Sequence, residues 1–492
     1  MQPRQDLSHA AIVRRGARSV SPPSGRRGRP RRAHVTEVIE PATAADVAAA
    51  LRHASEERQS VVIRGAGTKS DWGRPAGHID VLLDMRRLNR VLAHQHGDLT
   101  AVIEAGATLH DVNHTLARHG QWLPLDPPFA EHATIGGILA TNDSGPLRHR
   151  YGTPRDLVIG IQLATTDGVI SKAGGQVVKN VAGYDLSKLV AGSFGSLAAF
   201  VSATFKLTPL PAASKTLTLD VPDVASLAQV VRTVMASQIE PIAFEVAATN
   251  TTTEAGRPFR TDVGRPSRTE VGRPFRGAVI LRFASLPNVV DAQIDQAKAL
   301  APLQKCPATI VDGDRERALW REHATRLWDA DGAIVRASWL PADIAAALNE
   351  LERIVEPAMA TERERSDLME REPFDAPLIL SPSKDERVAQ DRPVRRAAAA
   401  GPKASPSIEV IGRAGVGAGL IRIDADEPAQ ARIIGQLRET AAFGNVVIVR
   451  GSAVLKTLVD VWGPQGDRQS LFGSLKQAFD PNGVLNAGRG PL

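Results

Sequence analysis

The chain has 492 residues, of which 43% are hydrophobic, and it carries a formal net charge of +6 with a single cysteine, Cys306. This length predicts two domains with ample core, and one cysteine excludes structural disulfides and any iron–sulfur cluster held by this chain alone. No apolar run approaches the ~20 residues of a membrane helix, and the run at residues 10–13 is too short for a signal-peptide core, so we expect a cytoplasmic protein.

The positive charge is concentrated in the first 32 residues. This segment contains nine Arg and one Asp, about +8, so everything after it sums to about −2. A strand pattern begins at residues 35–39, and a helix pattern follows at residues 43–51. We therefore predict a basic, disordered tail over residues 1–32, and we attribute the net charge to this tail rather than to a nucleic-acid-binding surface.

A glycine-containing loop follows the short apolar strand predicted at residues 61–63. It is not a P-loop, because Thr68 separates Gly67 from Lys69, and it is not a dinucleotide fingerprint, because Ser70 replaces the third Gly. Two glycines, two cations and two hydroxyls in one loop suit a pyrophosphate. A plain surface turn after a strand is the alternative.

A helix is predicted next, with Thr108 and Asp111 in a capping pattern and Gly120 at its end. A long polar loop then contains Gly136 and Gly137. Adjacent glycines let the backbone approach a ligand without Cβ interference, so this loop also predicts a phosphate-bearing cofactor. Within the helix, His110 and His114 have a zinc-ligand spacing, but an Asp replaces the Glu base, and we interpret them as a solvated pair.

A third glycine-containing stretch covers residues 179–197 and leads into a strand at residues 200–207. Beyond it, an eight-residue repeat occurs in three copies over residues 253–276, with Pro and Gly in every copy, and residues 361–407 are dense in charge. We predict that insertions at about 250–277 and 361–407 are disordered.

The rest of the second half alternates strand and helix patterns. Strands are predicted at residues 279–283 and 446–449, and helices at residues 288–300, 341–354 and 469–478. The last helix is followed by a turn at residues 479–483, which would carry the C-terminus back to the first domain.

Five motifs in this order resemble the FAD-linked oxidases of the vanillyl-alcohol oxidase type. They are Arg-Gly-x-Gly-Thr at residue 64, Thr-Ile-Gly-Gly at 134–137, Lys-Asn-Val-x-Gly-Tyr-Asp at 179–185, Gly-Ser-Leu at 195–197 and Phe-Asp-Pro-Asn-Gly-Val-Leu-Asn-x-Gly-Arg at 479–489. Within that family the motifs are most similar to those of the FAD-binding component of glycolate oxidase. The chain departs from the family pattern at Ala198, where Gly is common, and at Ala487, where Pro is usual.

The resemblance implies an α+β protein. A two-subdomain FAD-binding domain would cover residues 33–211, and an α/β cap domain would cover residues 212–492, with its C-terminus returning to the flavin. By similarity, the first loop and the glycine pair would hold the FAD pyrophosphate through backbone N–H groups. The cofactor-binding residues that the resemblance implies are Arg64, Gly65, Ala66, Gly67, Thr68, Lys69, Ser70, Thr134, Ile135, Gly136, Gly137, Asn142, Ser144, Gly145, Gly195, Ser196, Leu197 and Asn486.

Two features of the family are missing from this sequence. The loop at residues 64–70 has no His or Cys to which FAD could be attached, so the resemblance implies noncovalent FAD. Relatives that oxidise D-2-hydroxy acids carry a His-x-Gly-Asp-Gly-Asn-x-His stretch that assembles a metal and a base, whereas this chain has Asp312-Gly313-Asp314 without flanking His. We therefore expect no metal site and assign no catalytic residue.

The function that the resemblance implies is that of an FAD-dependent oxidoreductase acting on CH–OH donors. The chain would be the FAD-binding subunit of a glycolate oxidase that converts glycolate to glyoxylate. Its partners would be a catalytic FAD subunit and an iron–sulfur subunit, and it would reach the membrane only through them. Two alternatives stay open: a self-sufficient FAD oxidoreductase acting on another alcohol or 2-hydroxy acid, and an Arg-rich nucleic-acid binder.

Overall fold

The computed structural model describes residues 35–175, 184–253, 269–355, 406–486 and 488–490. The predicted tail, the first five residues of the motif at 179–185 and most of the two predicted insertions lie outside the described residues. Within the described ranges, no helix is both long and apolar enough to cross a bilayer.

The first sheet has three parallel strands, β1 (Val35–Ile39), β2 (Val61–Arg64) and β3 (Ile79–Asp84), with β3 in the middle. Helix α1 (Ala44–Glu56) connects β1 to β2. It begins at Thr43, whose hydroxyl accepts a hydrogen bond from the Asp46 N–H while the Asp46 carboxylate accepts one from the Thr43 N–H. Leu51 of α1 and Leu83 of β3 are fully buried in one core, which holds the helix on the sheet.

The second sheet is antiparallel and has five strands: β4 (Val91–Gln95), β5 (Thr100–Glu104), β7 (Val158–Ala164), β8 (Ile170–Gly174) and β9 (Ala199–Lys206), in the order β4-β5-β9-β7-β8. Two short strands, β6 (Gln121–Trp122) and β10 (Thr208–Pro209), pair separately. The helices around this sheet are α2 (Leu109–Ala117), α3 (Ile135–Thr141), α4 (Arg148–Tyr151), α5 (Pro154–Leu157) and α6 (Leu186–Val190).

The helix predicted from its capping pattern is confirmed as α2. The Thr108 hydroxyl accepts from the Asp111 N–H at 3.1 Å, and Gly120 follows the helix with a φ of +65°. That φ value is costly for residues with a Cβ, so a glycine at this position lets the chain turn into β6.

The third sheet contains eight antiparallel strands: β11 (Ala213–Val221), β12 (Ala243–Thr253), β13 (Thr269–Ser285), β14 (Ala308–Asp312), β15 (Ala333–Ser338), β16 (Ser407–Arg413), β17 (Ala418–Asp424) and β18 (Val446–Arg450). Their order is β14-β11-β13-β12-β16-β17-β15-β18. The helices of this part are α7 (Val224–Ala236), α8 (Pro287–Ala299), α9 (Ala301–Gln304), α10 (Gly313–Thr325), α11 (344–355), α12 (Glu427–Glu439), α13 (Leu455–Leu458) and α14 (Arg468–Phe479).

The strand order of the third sheet reveals two similar halves. Each half runs strand–helix–strand–strand–helix–strand, with α7 and α8 in the first and α11 and α12 in the second, and the halves join where β12 pairs with β16. The buried faces of these four helices form one core with the sheet. The structure contains the alternation of strands and helices predicted from the sequence, and the strands form one continuous sheet of eight.

The third copy of the sequence repeat requires a correction. The sequence predicts a disordered insertion there, yet residues 269–276 form the start of β13, of which 269–271 and 276 pair with β12, and residues 250–253 belong to β12. The pairing register shifts between Thr249 and Thr251, opposite the segment that contains Pro274. Because proline has no N–H to donate, a strand tolerates it at such an irregularity. The Gly and Pro of this copy therefore do not prevent strand formation.

The C-terminus returns to the first sheet. Leu485 bridges to Val61 in a parallel sense, the Val61 N–H donates to the Val484 carbonyl at 2.8 Å, and the Asn486 N–H donates to the Val61 carbonyl at 2.8 Å. The turn predicted at residues 479–483 thus places residues 484–486 beside β2, where the first glycine loop begins.

We expect Phe275→Ala to lower the free energy of unfolding by about 3–5 kcal/mol, because the Phe275 side chain is 1% exposed in the core of the third sheet. The control is Leu286→Ala, since Leu286 is 60% exposed, and its change should stay within about 0.5 kcal/mol. Denaturant unfolding measures both. Equal, small effects would show that the third repeat copy does not pack as a strand.

Candidate functional site

The first glycine loop, residues 64–70, lines a cavity of about 90 Å³ at the end of β2. Within the described part of the chain, the backbone N–H groups of residues 65–69 donate no hydrogen bond, whereas the Ser70 N–H donates to the Gly67 carbonyl. Gly67 has a φ of +80°, which a side chain would strain. The loop therefore presents a series of free N–H groups, the arrangement that binds an anion.

The glycine pair of α3 lies against this loop, but its two members differ. The Gly136 N–H donates to the Ala105 carbonyl at 2.7 Å, so it is not available to a ligand, and a Cβ here would come within 3.0 Å of Ala105. Gly137 lines the cavity. A Cβ on Gly65 would lie 2.0 Å from Thr134 Oγ1. The first loop and the start of α3 can therefore pack this closely only because residue 65 has no side chain.

Other predicted residues of α3 and the following loop have structural partners. Ile135 is fully buried in the core, and its N–H donates to the Ala107 carbonyl. Asn142 ends α3 with a φ of +44°, and its Oδ1 accepts from the Arg155 N–H at 3.0 Å, although it lines a neighbouring cavity.

Ser144 and Gly145 lie away from the first loop. The Ser144 carbonyl accepts from Arg413 at 3.0 Å, and a Cβ on Gly145 would lie 1.9 Å from the Asp126 carbonyl oxygen. The structure therefore places these two residues where the loop meets the third sheet, outside the cavity at residues 64–70.

The last predicted group joins residue 195 to the C-terminus. Gly195 has a φ of +68° and lines a cavity of about 60 Å³ that shares walls with the first. Ser196 and Leu197 are buried beneath it, and the Ser196 hydroxyl donates to the Ser193 carbonyl at 2.6 Å.

Asn486 is the most informative of the predicted residues. Its side-chain Nδ2 donates to the Phe194 carbonyl, while its Oδ1 is buried without a hydrogen-bond partner in the described chain. A buried acceptor without a partner costs free energy. Because Asn486 lines both small cavities, a ligand that donates a hydrogen bond there would satisfy it.

An ion-pair cluster that the sequence did not predict stands beside this cleft. The Asp143 carboxylate is 2% exposed, and it lies 2.8 Å from the Arg336 guanidinium of β15 and 3.5 Å from the Lys69 ammonium of the first loop. Burial lowers the pKa of Lys69 and of Arg336, and Asp143 opposes both shifts. Both cations also lie over the Trp72 ring, 5.6 and 5.4 Å from its centroid.

Trp72, Phe194 and Arg489 complete the cleft and were also missed. Trp72 is 1% exposed and stacks on Trp328, which follows α10, with ring centroids 5.6 Å apart and planes 9° from parallel. Each lies in or beside a predicted motif: Trp72 follows the first loop by two residues, Phe194 directly precedes Gly195, and Arg489 ends the C-terminal motif. Their side chains were not assigned to the site, because only the folded chain shows that they line the cleft. A tryptophan followed by glycine in the loop was the available signal.

A second buried network lies at the junction with the third sheet. Burial raises the pKa of Asp126 to about 7, although its carboxylate accepts from the Leu147 N–H at 3.0 Å. Nearby, the Glu245 carboxylate lies 3.1 Å from His323 Nε2 and 3.7 Å from Arg413 Nε. A carboxyl with such a pKa can hold or release a proton near neutral pH.

Comparison with known proteins identifies the first domain. Residues 35–174 match the family model described as FAD binding domain. Over 42% of this chain and 44% of the relative, the sequence is 33% identical to glycolate oxidase subunit GlcD of Bacillus subtilis (strain 168). It is 33% identical to glycolate oxidase subunit GlcE of Escherichia coli (strain K12) over 39% of this chain and 53% of the relative. It is 35% identical to D-lactate dehydrogenase of Archaeoglobus fulgidus over 37% of this chain and 40% of the relative.

The matches therefore span about half the length of these curated relatives. Among solved structures, an alkyldihydroxyacetonephosphate synthase aligns with a TM-score of 0.61 at 16% identity, and the alignment covers 92% of this chain and 77% of that one. At this identity the similarity is one of fold. The FAD cofactor predicted from the sequence is confirmed by the family match, and the relatives named above carry the oxidoreductase names that the sequence predicted. The free N–H groups of residues 65–69 and the unpaired Asn486 Oδ1 fit this cofactor.

The raised pKa of Asp126 predicts a specific pH dependence of stability. Between about pH 4 and pH 7 the folded state binds more protons at Asp126 than the unfolded state does, so this group makes stability fall as pH rises. Asp126→Asn removes the titration, and we expect a gain in the free energy of unfolding at pH 8 on the order of 4 kcal/mol. Urea unfolding at pH 5 and pH 8 measures it.

Asp84→Asn is the control of opposite sign. Asp84 is buried, which raises its pKa, but hydrogen bonds from Arg86 and Arg64 bring the pKa below the ordinary value. Its contribution is present above the unfolded pKa of about 3.9 and is lost as pH falls through the lower folded pKa. Asp84→Asn should therefore destabilise the protein at both pH values. An Asp126→Asn protein less stable than wild type at pH 8 would contradict the raised pKa.

Proposed function

We propose that this chain is the noncovalent FAD-binding subunit of a complex that oxidises glycolate to glyoxylate. The observation that carries the proposal is the cleft formed by residues 64–70, Gly137 and Asn486, most of which lies in the segment that matches the FAD binding domain, in a chain similar in part to glycolate oxidase subunits. FAD bound there would accept the two electrons and the hydrogen that leave the hydroxy acid.

The chain's own residues account for holding the cofactor. The N–H groups of residues 65–69 would meet the pyrophosphate, and Asn486 Oδ1 would accept a hydrogen bond from the cofactor. Trp72 and Phe194 supply apolar walls that exclude water. No His or Cys occurs at residues 64–70, which supports noncovalent binding.

The division of labour follows from what oxidation of a 2-hydroxy acid requires. The reaction needs a base for the hydroxyl proton, a cation for the carboxylate and a path for the hydride. The sequence lacks the His-x-Gly-Asp-Gly-Asn-x-His stretch of the catalytic relatives, and its single cysteine cannot ligate an iron–sulfur cluster. We therefore assign the base to a catalytic FAD partner and onward electron transfer to an iron–sulfur partner, with any membrane contact made through them.

A self-sufficient dehydrogenase is the second candidate. The 35% identity to D-lactate dehydrogenase of Archaeoglobus fulgidus favours it. In that case the isolated chain would act on its substrate without partners.

We expect Gly137→Val to empty the flavin site. A Cβ at Gly137 meets the nearest protein atom, Thr134 Oγ1, at 3.3 Å, so the helix can still fold, but the branched side chain projects into the cleft. Gly473→Val on α14 is the matched control, because a Cβ there meets nothing within 4 Å. Flavin absorbance after desalting measures retention, and heat or acid should release intact FAD from the wild type. Stoichiometric FAD in folded Gly137→Val protein would remove Gly137 from the site.

The isolated FAD-loaded chain should fail to reduce its flavin when mixed anaerobically with glycolate or D-lactate. Reduction should occur when the catalytic and iron–sulfur subunits are co-expressed, because they supply the missing base and electron path. The visible absorption band of the oxidised flavin reports the result directly. Rapid bleaching of the isolated chain by either acid would reject the subunit assignment in favour of the self-sufficient dehydrogenase.

A further inference from the structure

A larger cavity of about 310 Å³ adjoins the flavin cleft. It shares Trp72, Thr141 and Phe194 with the cleft and extends toward the third sheet, where Val447 and Val449 of β18 form its far wall. Its size is that of a small-ligand pocket.

Two guanidinium groups from different parts of the fold line this cavity. Arg148 comes from α4 of the first domain and Arg336 from β15 of the third sheet, and both line the cavity. Among the described residues, the half-buried Arg148 side chain makes no hydrogen bond or ion pair. Its closest electrostatic support is Asp156, whose Oδ2 already accepts from the Thr153 N–H and hydroxyl.

The charges around the cavity do not balance. Arg336 shares the Asp143 carboxylate with Lys69, and Arg148 forms no ion pair within the described chain and has only the electrostatic attraction of Asp156. The three cations therefore outnumber the two carboxylates near them. Burial lowers the pKa of all three cations, and Arg413 further opposes the charge on Arg148 and Arg336. Buried positive charge without a counter-charge is costly, and an anionic ligand would relieve it.

We propose that Arg148 and Arg336 form a binding site for the carboxylate of a small organic acid beside the flavin cleft. The planar guanidinium binds a carboxylate through paired N–H groups, which suits these two side chains. The remaining walls combine apolar and aromatic residues with Arg468 and the amides of Asn445 and Gln465, so the cavity suits a small acid with polar groups beside its carboxylate. The identification of this ligand as the 2-hydroxy acid of the reaction rests on the proposed function. Such a ligand would place its carboxylate next to the flavin of this chain.

Binding of oxalate tests the site, because oxalate is a small carboxylate without an oxidisable hydroxyl carbon. Oxalate is titrated into the FAD-loaded full chain and into the FAD-free chain. The readouts are the flavin spectrum and the fluorescence of tryptophans, of which Trp72 and Trp462 line the cavity. We expect saturable binding to both forms of the protein, and we expect sulfate at the same ionic strength to compete poorly.

Arg148→Met should weaken oxalate binding roughly ten- to a hundred-fold, the loss expected for a charged hydrogen-bond partner, while FAD retention stays unchanged. Because Arg148 makes no bond in the described structure, the variant should fold. Arg150→Met is the matched control: Arg150 lies on the same helix α4 but pairs at the surface with Glu240 at 3.3 Å, and its loss should not change oxalate affinity.

Arg336→Lys is the second variant. It keeps a cation for Asp143, so the buried carboxylate is not stranded, but it removes the planar fork, and oxalate affinity should fall at least several-fold. Unchanged oxalate affinity in both variants would overturn the proposal. So would equal binding of sulfate, or an Arg148→Met protein that loses FAD but still binds oxalate.

These outcomes separate the site from the function. Arg148-dependent oxalate binding in a protein whose assembled complex does not oxidise glycolate would keep the carboxylate site and reject the proposed function. An active complex whose oxalate affinity is indifferent to Arg148 and Arg336 would reject the site alone.

Discussion

The buried carboxylate of Asp143 is the constraint on which the cleft depends. A carboxylate that is 2% exposed must be paired, and its partners are Lys69 from the first glycine loop and Arg336 from β15 of the third sheet. Three segments distant in sequence are therefore fixed relative to one another by one charge. Trp72 lies beneath both cations and stacks on Trp328, so the same cluster sets the aromatic wall of the flavin cleft. Removing either cation would leave a buried charge short of a partner and loosen the wall.

The C-terminal segment provides the second fixed point of the cleft. The Arg74 N–H donates to the Arg489 carbonyl at 3.1 Å. Gly73 has a φ of +77°, and a Cβ at this position would lie 2.5 Å from the Arg489 carbonyl oxygen, so a side chain does not fit there. Lys476 of α14 donates to the carbonyls of Ser196 and Leu485, both at 2.8 Å. The last residues of the chain thus hold the loops at 64–74 and 193–196 together, and the flavin cleft is closed by a segment synthesised about 400 residues after its first loop.

Local features of the fold were readable from the sequence, and contacts over long separations were not. The Thr108 cap, the glycine end of α2 and the helices at 288–300, 341–354 and 469–478 follow from nearest-neighbour chemistry, and the structure contains them. The pairing of Asp143 with Arg336 spans 193 positions, and nothing local distinguishes either residue. Gly136 lies between these two cases. The sequence predicted that it binds the cofactor, but its N–H donates to the Ala105 carbonyl, which only the packing of α3 against the end of β5 reveals.

Charge balance separates the two buried polar regions that flank the junction with the third sheet. Around Glu245, the carboxylates of Glu245 and Asp126 face Arg413, Arg282 and His323, and a proton on Asp126 can adjust the remaining difference near neutral pH. Around Asp143, one carboxylate faces Lys69 and Arg336, while Arg148 has only the electrostatic attraction of Asp156, and arginine cannot give up its proton to correct the excess. Asp126 can balance its surroundings by titrating, whereas Arg148 and Arg336 keep their charge whatever the state of Lys69, and an anion from outside would compensate them. Ligand binding is therefore expected on the Asp143 side of the junction, next to the flavin cleft, and proton exchange on the Glu245 side.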